Sequence, residues 1–288
     1  MAKCWASCLG SCSDKQSAEH LVSASVIESF RHSSPDDNSI NMFFPDSGLA
    51  KKVSPNSATV NVLCRHHNSC LSNLDNEASR FFKALVKQLD PGYLRTLRQN
   101  TTTTVDKING YLIERWFIKT LINHIYGFAY KGIEKPPDYL VQMAFNQLKF
   151  PEGFGLLTCR RTGLNPIPFE QGVLIVPITN IATDELAAGL FEFSGWRFVI
   201  PTVVDWKLSD IWNVKRDQSL KSTPEAESVI TWATTSDVAS HLRTYSVRVN
   251  GVNITANIEI DWNSNVSIPI VFSPLIRPWI VRDVNHFQ

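Results

Sequence analysis

Two short blocks hold the residues of this chain that are equipped for chemistry. The first runs Cys4-Trp5-Ala6-Ser7-Cys8-Leu9-Gly10-Ser11-Cys12 and continues through Ser17 to Glu19-His20. The second runs Asn61-Val62-Leu63-Cys64-Arg65-His66-His67-Asn68 and on to Cys70. Thiolate and imidazole are the ligands zinc prefers, four of them in a tetrahedron. Cys64 and His67 stand at C-x2-H spacing, so a single turn can present both. In the first block the spacing admits Cys4 with Cys12, Cys4 with Cys8, or Cys8 with Cys12. Cys4 and Cys12 are favoured as the two ends of a small loop, with Cys8 as the alternate. Clustered cysteines of this kind point to metal ligation over disulfides in a reducing compartment. Cys70 and Cys159 read as small apolar side chains.

Glu19-His20 and Asn68 carry oxygen and nitrogen groups suited to a hard divalent ion rather than to zinc. Phosphodiester hydrolysis needs a base to activate water and a cation to stabilise the developing charge. A neutral histidine supplies the first, and a carboxylate with an amide oxygen can hold the second.

Cys4 and Cys12 followed by Ser17-x-Glu19-His20 resembles the S/T-x-E-H motif of the HNH nucleases. Leu63-Cys64-x-x-His67-Asn68-x-x-Leu71-Ser72-x-Leu74-Asp75 resembles their second motif block. The resemblance covers roughly residues 3 to 90 and implies a ββα-metal fold stapled by a zinc finger. It implies that His20 is the general base, that Glu19 and Asn68 hold a catalytic Mg2+ or Mn2+, and that Asn61 orients the base. Cys4, Cys12, Cys64 and His67 would be the structural Zn2+ ligands. The sequence departs from the family in three ways. Asn68 stands where many members have His, His66 adjoins His67 so that the two could exchange roles, and residues 30 to 57 are inserted between the blocks.

The elements that must position these groups follow from periodicity. Leu74, Ala78, Phe81, Phe82, Leu85 and Leu89 recur at helical spacing, with Arg80, Lys83 and Lys87 along the polar side. Such a row is ordinarily a solvated face, and in a nuclease it is a candidate edge for phosphate contact. Asp75, Glu77 and Asp90 are expected to face solvent. Gln99-Asn100 and Thr101 to Thr104 read as a linker. From Ile108 to Ile125 an apolar pattern at three- and four-residue spacing predicts a core helix with Asp106 as its cap. Pro136-Pro137 breaks the pattern, after which Asp138 is placed to cap a second helix through Leu148. From Gly153 the period becomes that of strands. Residues 172–177, 189–193, 196–200, 244–249 and 252–260 are the candidates, with Ser194-Gly195 and Asn250-Gly251 as hairpin turns.

The expected fold class is therefore α+β, in three parts. Residues 1–105 would form an HNH-like zinc-binding domain, residues 106–150 a helical connector, and residues 151–288 a mostly antiparallel β domain that targets or regulates the first. That last part holds Trp196, Trp206, Trp212, Trp232, Trp262 and Trp279, read as packing residues or, alternatively, a stacking face for a base or peptide. It offers no glycine-rich phosphate loop and no nucleophile elbow, and His241 with Asp237 reads as a surface pair.

Composition narrows the function classes. The 288 residues are 43% hydrophobic and 19% charged, enough to build a core and incompatible with wholesale disorder. A net charge of +1 gives no global field toward a polyanion, so nucleic-acid binding would rest on a local patch, a metal or a partner. The apolar stretch 111–130 is interrupted by Glu114, Arg115, Lys119 and His124, so no membrane span is expected, and the N-terminus lacks a signal-peptide pattern. The expectation is a cytoplasmic, metal-dependent endonuclease acting on DNA, in host defence or a mobile element by analogy only. Homo-oligomerisation, or a regulatory protein or ligand on the β domain, remains open. The competing reading is a non-catalytic zinc-finger module that binds nucleic acid or protein. A disulfide-stapled secreted protein is a third.

Overall fold

The computed structural model describes residues 4–30, 39–44, 49–87, 106–128, 135–151, 154–160, 172–179, 185–193, 196–203, 238–241, 258–261 and 268–270. In chain order the first part contains β1 (Gln16–His20), α1 (Ala24–Ser29), β2 (Ile40–Phe44), β3 (Leu49–Val53), β4 (Thr59–Cys64), α2 (Arg65–Cys70) and α3 (Ser72–Lys87). The middle contains β5 (Asp106–Asn109), α4 (Gly110–Phe128) and α5 (Asp138–Ala144). The last part contains β6 (Leu157–Arg160), β7 (Gly172–Thr179), β8 (Leu186–Phe193), β9 (Trp196–Pro201), β10 (Val238–His241), β11 (Ile258–Asp261) and β12 (Ile268–Ile270). The protein is α+β.

Among the described residues, β1 and β4 pair as a two-stranded sheet. A larger sheet has the order β10-β6-β9-β8-β7-β2-β3, and a third has the order β12-β11-β5. Strand pairs formed within the last part are antiparallel, as the short alternating segments predict. The two parallel pairings, β2 with β7 and β5 with β11, join the earlier parts to the last one. The segment inserted between the two motif blocks thus supplies β2 and β3 to the end of the large sheet.

Helix α3 follows its predicted face. Leu74, Ala78, Phe81, Phe82 and Leu85 are fully buried, while Asn73, Asn76, Arg80 and Lys83 are exposed. Phe82 packs on Trp116 of α4 and Phe193 of β8, with ring centroids 5.4 and 4.7 Å apart, and Phe30 stacks on the same Phe193. Phe117 meets Phe191 edge to face at 4.8 Å. These offset and tilted rings add quadrupole attraction to their burial. They join α1, α3, α4 and β8 in one continuous core, so packing crosses residues 105 and 150, where composition marks boundaries.

Several local expectations are corrected. Asp106 does not cap the long helix; it begins β5, and the Oδ1 of Asn109 accepts from the Leu112 N–H at 3.2 Å. An asparagine directly before the first helical residue is a better cap, because its side chain reaches the free N–H groups without leaving the strand's register. The second helix starts at Asp138 with Pro137 as its cap residue, and it ends at Ala144 rather than Leu148. Asn146, at φ 61°, turns the chain away in the left-handed region that asparagine tolerates. Asp75 and Glu77 do not face solvent: Asp75 pairs with Lys119, and buried Glu77 accepts from the Asn109 N–H while pairing with Arg80 at 2.7 Å. The 244–249 strand, both hairpin turns, the 99–104 linker, Asp90, Asp237, Trp206, Trp212, Trp232, Trp262 and Trp279 lie outside the described residues, as do the side chains of Cys159, Trp196 and His241.

Helix α4 is buried on nearly every side, yet it carries Glu114, Lys119, Asn123 and His124. A buried polar group is costly unless it is paired; Glu114 Oε1, for example, accepts from the Leu156 N–H at 3.0 Å. Among the described residues no helix is long and apolar enough to cross a membrane.

His124 has a consequence for acid stability. Burial pushes its imidazole from 6.5 down to about 3, against a hydrogen bond with the Ile175 backbone that works the other way. The folded protein therefore keeps this ring neutral while the unfolded chain takes up a proton below its ordinary value. The contribution is constant above that value and is lost as pH falls toward 3, by about 1.4 kcal/mol per pH unit. Urea midpoints measured from pH 7 to pH 5 should fall more steeply in the wild type than in His124→Gln. Equal slopes would remove His124 as the cause.

Candidate metal centre

Strand β4 runs straight into α2, and Cys64 sits at the junction with extended backbone (φ −79°, ψ 160°). Its Sγ accepts from the His67 N–H at 3.5 Å, so the thiol acts as the helix cap and faces the histidine one turn on. The N-terminal segment is fastened to the same strand: Trp5 N donates to Val62 O at 3.0 Å, and Arg65 N donates to Lys15 O at 2.9 Å. Between these ties a single 3-10 turn, Ser7–Leu9, is followed by Gly10 (φ 76°) and Ser11 (φ 54°). Two consecutive left-handed residues reverse the chain and return Cys12 toward Cys4.

His67 Nδ1 lies 3.3 Å from Cys64 Sγ, 3.4 Å from Cys4 Sγ and 3.6 Å from Cys12 Sγ. All four ligand atoms fall within 4.8 Å of one another. A tetrahedral zinc site with ordinary bond lengths separates its nitrogen and sulfur ligands by roughly 3.6 Å, so the donor set fits a zinc ion in kind and in spacing. Of the first-block thiols, the structure brings Cys4 and Cys12 to this cluster. Cys8 is exposed and stands beside Asp138 instead. His66 is turned outward, 3.9 Å from exposed Cys70, so the two histidines do not exchange roles. The described cysteines are free thiols.

Burial pushes the Cys4 thiol up to about 12. Burial acts on Cys64 in the same direction, but hydrogen bonds from the His67 backbone and from Ser13 outweigh it and bring that thiol down to about 7. Burial, with His66 alongside, holds His67 below the ordinary histidine range and so in the neutral form a metal needs. Phe145 packs edge-on against both His67 and Trp5, at 5.4 and 5.7 Å, and gives the cluster an apolar wall.

The centre could hold a metal ion. No protein-family model, curated protein or solved structure matches this chain. Its chemistry is read from its own geometry.

Strand β1 ends at His20, and its register on β4 pairs Ser17 with Leu63 but Glu19 with Val60. Two β4 residues, Asn61 and Val62, thus stand opposite Ala18. This bulge, the kind of irregularity that re-aims a side chain, leaves Asn61 exposed. His20 is half-buried, and its Nε2 is a buried nitrogen with no hydrogen-bond partner among the described residues. Asn68 Nδ2 donates to Ser17 Oγ at 2.7 Å, fastening α2 to β1.

Glu19 departs from the expectation of an open metal ligand. It is buried, and its Oε1 lies 2.7 Å from Lys119 Nζ and accepts from Asn123 Nδ2 at 3.2 Å. Lys119 also holds both oxygens of Asp75, at 2.7 and 2.8 Å, and Ser23 links Asp75 to the Trp116 indole. Burial alone would lower the Lys119 ammonium, but Asp75 and Glu19 outweigh it and hold it raised. The reason is elementary: a carboxylate out of water needs a counter-charge, and α4 carries one.

Lys119, Asn123 and Trp5 are the residues sequence reasoning missed. The signal available was a lysine and an asparagine four residues apart on a helix whose apolar pattern predicts burial, which forces both to find partners. Of the basic row, Arg80 is exposed and paired with Glu77, Lys83 is exposed, and the Lys87 side chain lies outside the described residues.

Proposed function

We propose that the chain is a metal-dependent endonuclease of HNH type that hydrolyses DNA phosphodiester bonds, with His20 as general base. The observation that supports it most strongly is the order of parts. In the antiparallel β1–β4 pair the first strand ends in Glu19-His20, the second passes directly into a helix bearing Asn68, and the Cys4–Cys12–Cys64–His67 cluster lies at that junction. Zinc in this cluster would be structural, since all four positions of a tetrahedron are taken by protein.

In this reading His20 takes the proton of the attacking water through Nε2, which has no hydrogen-bond partner among the described residues. Magnesium or manganese, when bound, would stabilise charge on the phosphate, with Asn68 and Glu19 Oε2 as the donors on this chain. The Lys119 contact leaves Glu19 only that second oxygen among the described residues. Asn61, at the bulge, is a candidate to orient base or substrate, and Arg80 and Lys83 are candidates for phosphate contact. The residues after 150 would target or regulate the cut.

The same Glu19–Lys119 pair favours the second reading, a zinc-stapled module that binds nucleic acid or protein without hydrolysis, because it neutralises the carboxylate a catalytic ion would use. Supercoiled plasmid incubated with magnesium or manganese separates the two. Nicking by the wild type, reduced about a hundredfold or more in a zinc-retaining His20→Ala variant, is the expected result. An intact plasmid in both, with zinc bound, sinks the nuclease reading and leaves the module.

A further inference from the structure

We propose that Asn123, on α4, is a positioning residue that transmits the state of the metal cluster to His20. This rests on the reading of His20 as general base.

Asn123 and Trp5 are each only 1% exposed. Asn123 Oδ1 accepts from the Trp5 indole N–H at 2.8 Å, and Nδ2 donates to Glu19 Oε1 and to the backbone carbonyl of His20, each at 3.2 Å. The amide can take no other orientation. An indole offers only a donor, while a carboxylate and a carbonyl offer only acceptors. One side chain therefore spends its acceptor on the residue next to the metal ligand Cys4 and both its donors on the Glu19-His20 pair.

The Trp5 end is held on its other sides by the same cluster. Its backbone N–H is bonded to Val62, two residues before the ligand Cys64. Its ring meets Phe145, which also meets His67. A shift of the metal loop moves the indole, the indole moves the amide, and the amide moves the carbonyl of His20. No hydrophobic replacement of similar size can relay that displacement, because packing has no equivalent of the two directed donors.

The test uses full-length, zinc-loaded protein as wild type, Asn123→Leu, Trp5→Phe and the double variant. Trp5→Phe keeps an aromatic ring and removes the indole N–H, so it carries the test if Asn123→Leu fails to fold. Three quantities are read: bound zinc, kcat and KM for plasmid cleavage with magnesium, and the ring carbon–proton resonances of His20. Zinc content is expected to stay unchanged. In Asn123→Leu, kcat should fall about tenfold to a hundredfold with little change in KM, as misplacement of a base predicts. Trp5→Phe should fall less, and the double variant should be no worse than Asn123→Leu, because both act through one path. His20 resonances should move in the same order while those of the other histidines stay in place. Unmoved His20 resonances in the folded variants, or resonances of all histidines moving together with loss of zinc, overturn the proposal. A wild type that cuts nothing removes the nuclease reading alone, and the His20 resonances still decide the positioning.

Discussion

Lys119→Met is expected to destabilise the protein by about 3–5 kcal/mol, the usual result of deleting one partner of a buried ion pair. Lys119 is 2% exposed, and its ammonium is shared by Glu19, 5% exposed at the side chain, and Asp75, 25% exposed. Removing the cation leaves Glu19 out of water with the Asn123 amide as its one side-chain donor among the described residues. Asp75 is nearer solvent and can rehydrate in part, so most of the loss is assigned to Glu19. Urea unfolding checks the magnitude. A triple variant, Lys119→Met with Glu19→Gln and Asp75→Asn, should recover much of the loss, because it leaves no uncompensated charge. A triple variant no more stable than Lys119→Met would show that the pairing geometry, rather than charge compensation, carries the stability.

The second large effect is expected at the metal cluster. Cys64→Ser or His67→Ala should abolish stoichiometric zinc and lower stability by several kcal/mol, since binding energy at a structural zinc site is folding energy. Cys64→Ser removes the metal ligand while a serine hydroxyl can still accept the His67 N–H that the sulfur accepts, so its loss is assigned to the metal rather than to the α2 cap. Cys8→Ser and Cys70→Ser should leave zinc content unchanged, because both residues are exposed and outside the ligand set. Cobalt(II) substitution provides the matching spectroscopic check: a tetrahedral thiolate spectrum in wild type and Cys8→Ser, and none in Cys64→Ser. Zinc lost equally from all four variants would overturn the ligand assignment.

The two predictions meet at β1. The Cys4–Cys12–Cys64–His67 cluster holds one end of the β1–β4 pair, and the Lys119–Asn123 face of α4 holds the other. His20 lies between a metal staple and a buried charge network. A nuclease reading and a binding-module reading both need this rigidity. Only the first also needs His20 Nε2, buried and without a hydrogen-bond partner among the described residues, to reach a substrate water.

Much of this was legible in the amino-acid order. The C-x2-H pair needs only one helical turn, a local object, so Cys64 and His67 could be paired by spacing. The α+β class, the buried face of α3 and the antiparallel pairing within the last part follow from periodicities that each segment carries in itself. The acidic side chains were misread for the same reason. Asp75 and Glu77 occupy helix positions that look solvated until α4 and β5 are laid against them.

What the tertiary structure alone decided is every relation that joins distant segments through a single side chain. Spacing could not choose between Cys8 and Cys12, because both lie within reach of Cys4; the left-handed pair Gly10 and Ser11 chose, by turning Cys12 back. Nor could it show that the inserted residues would supply β2 and β3 to a sheet formed more than a hundred residues later. Above all it could not show that Glu19, expected to hold an ion, would meet the ammonium of Lys119. A sequence declares which groups are charged. Which charge is removed from water, and what must then accompany it, is fixed only when the core closes.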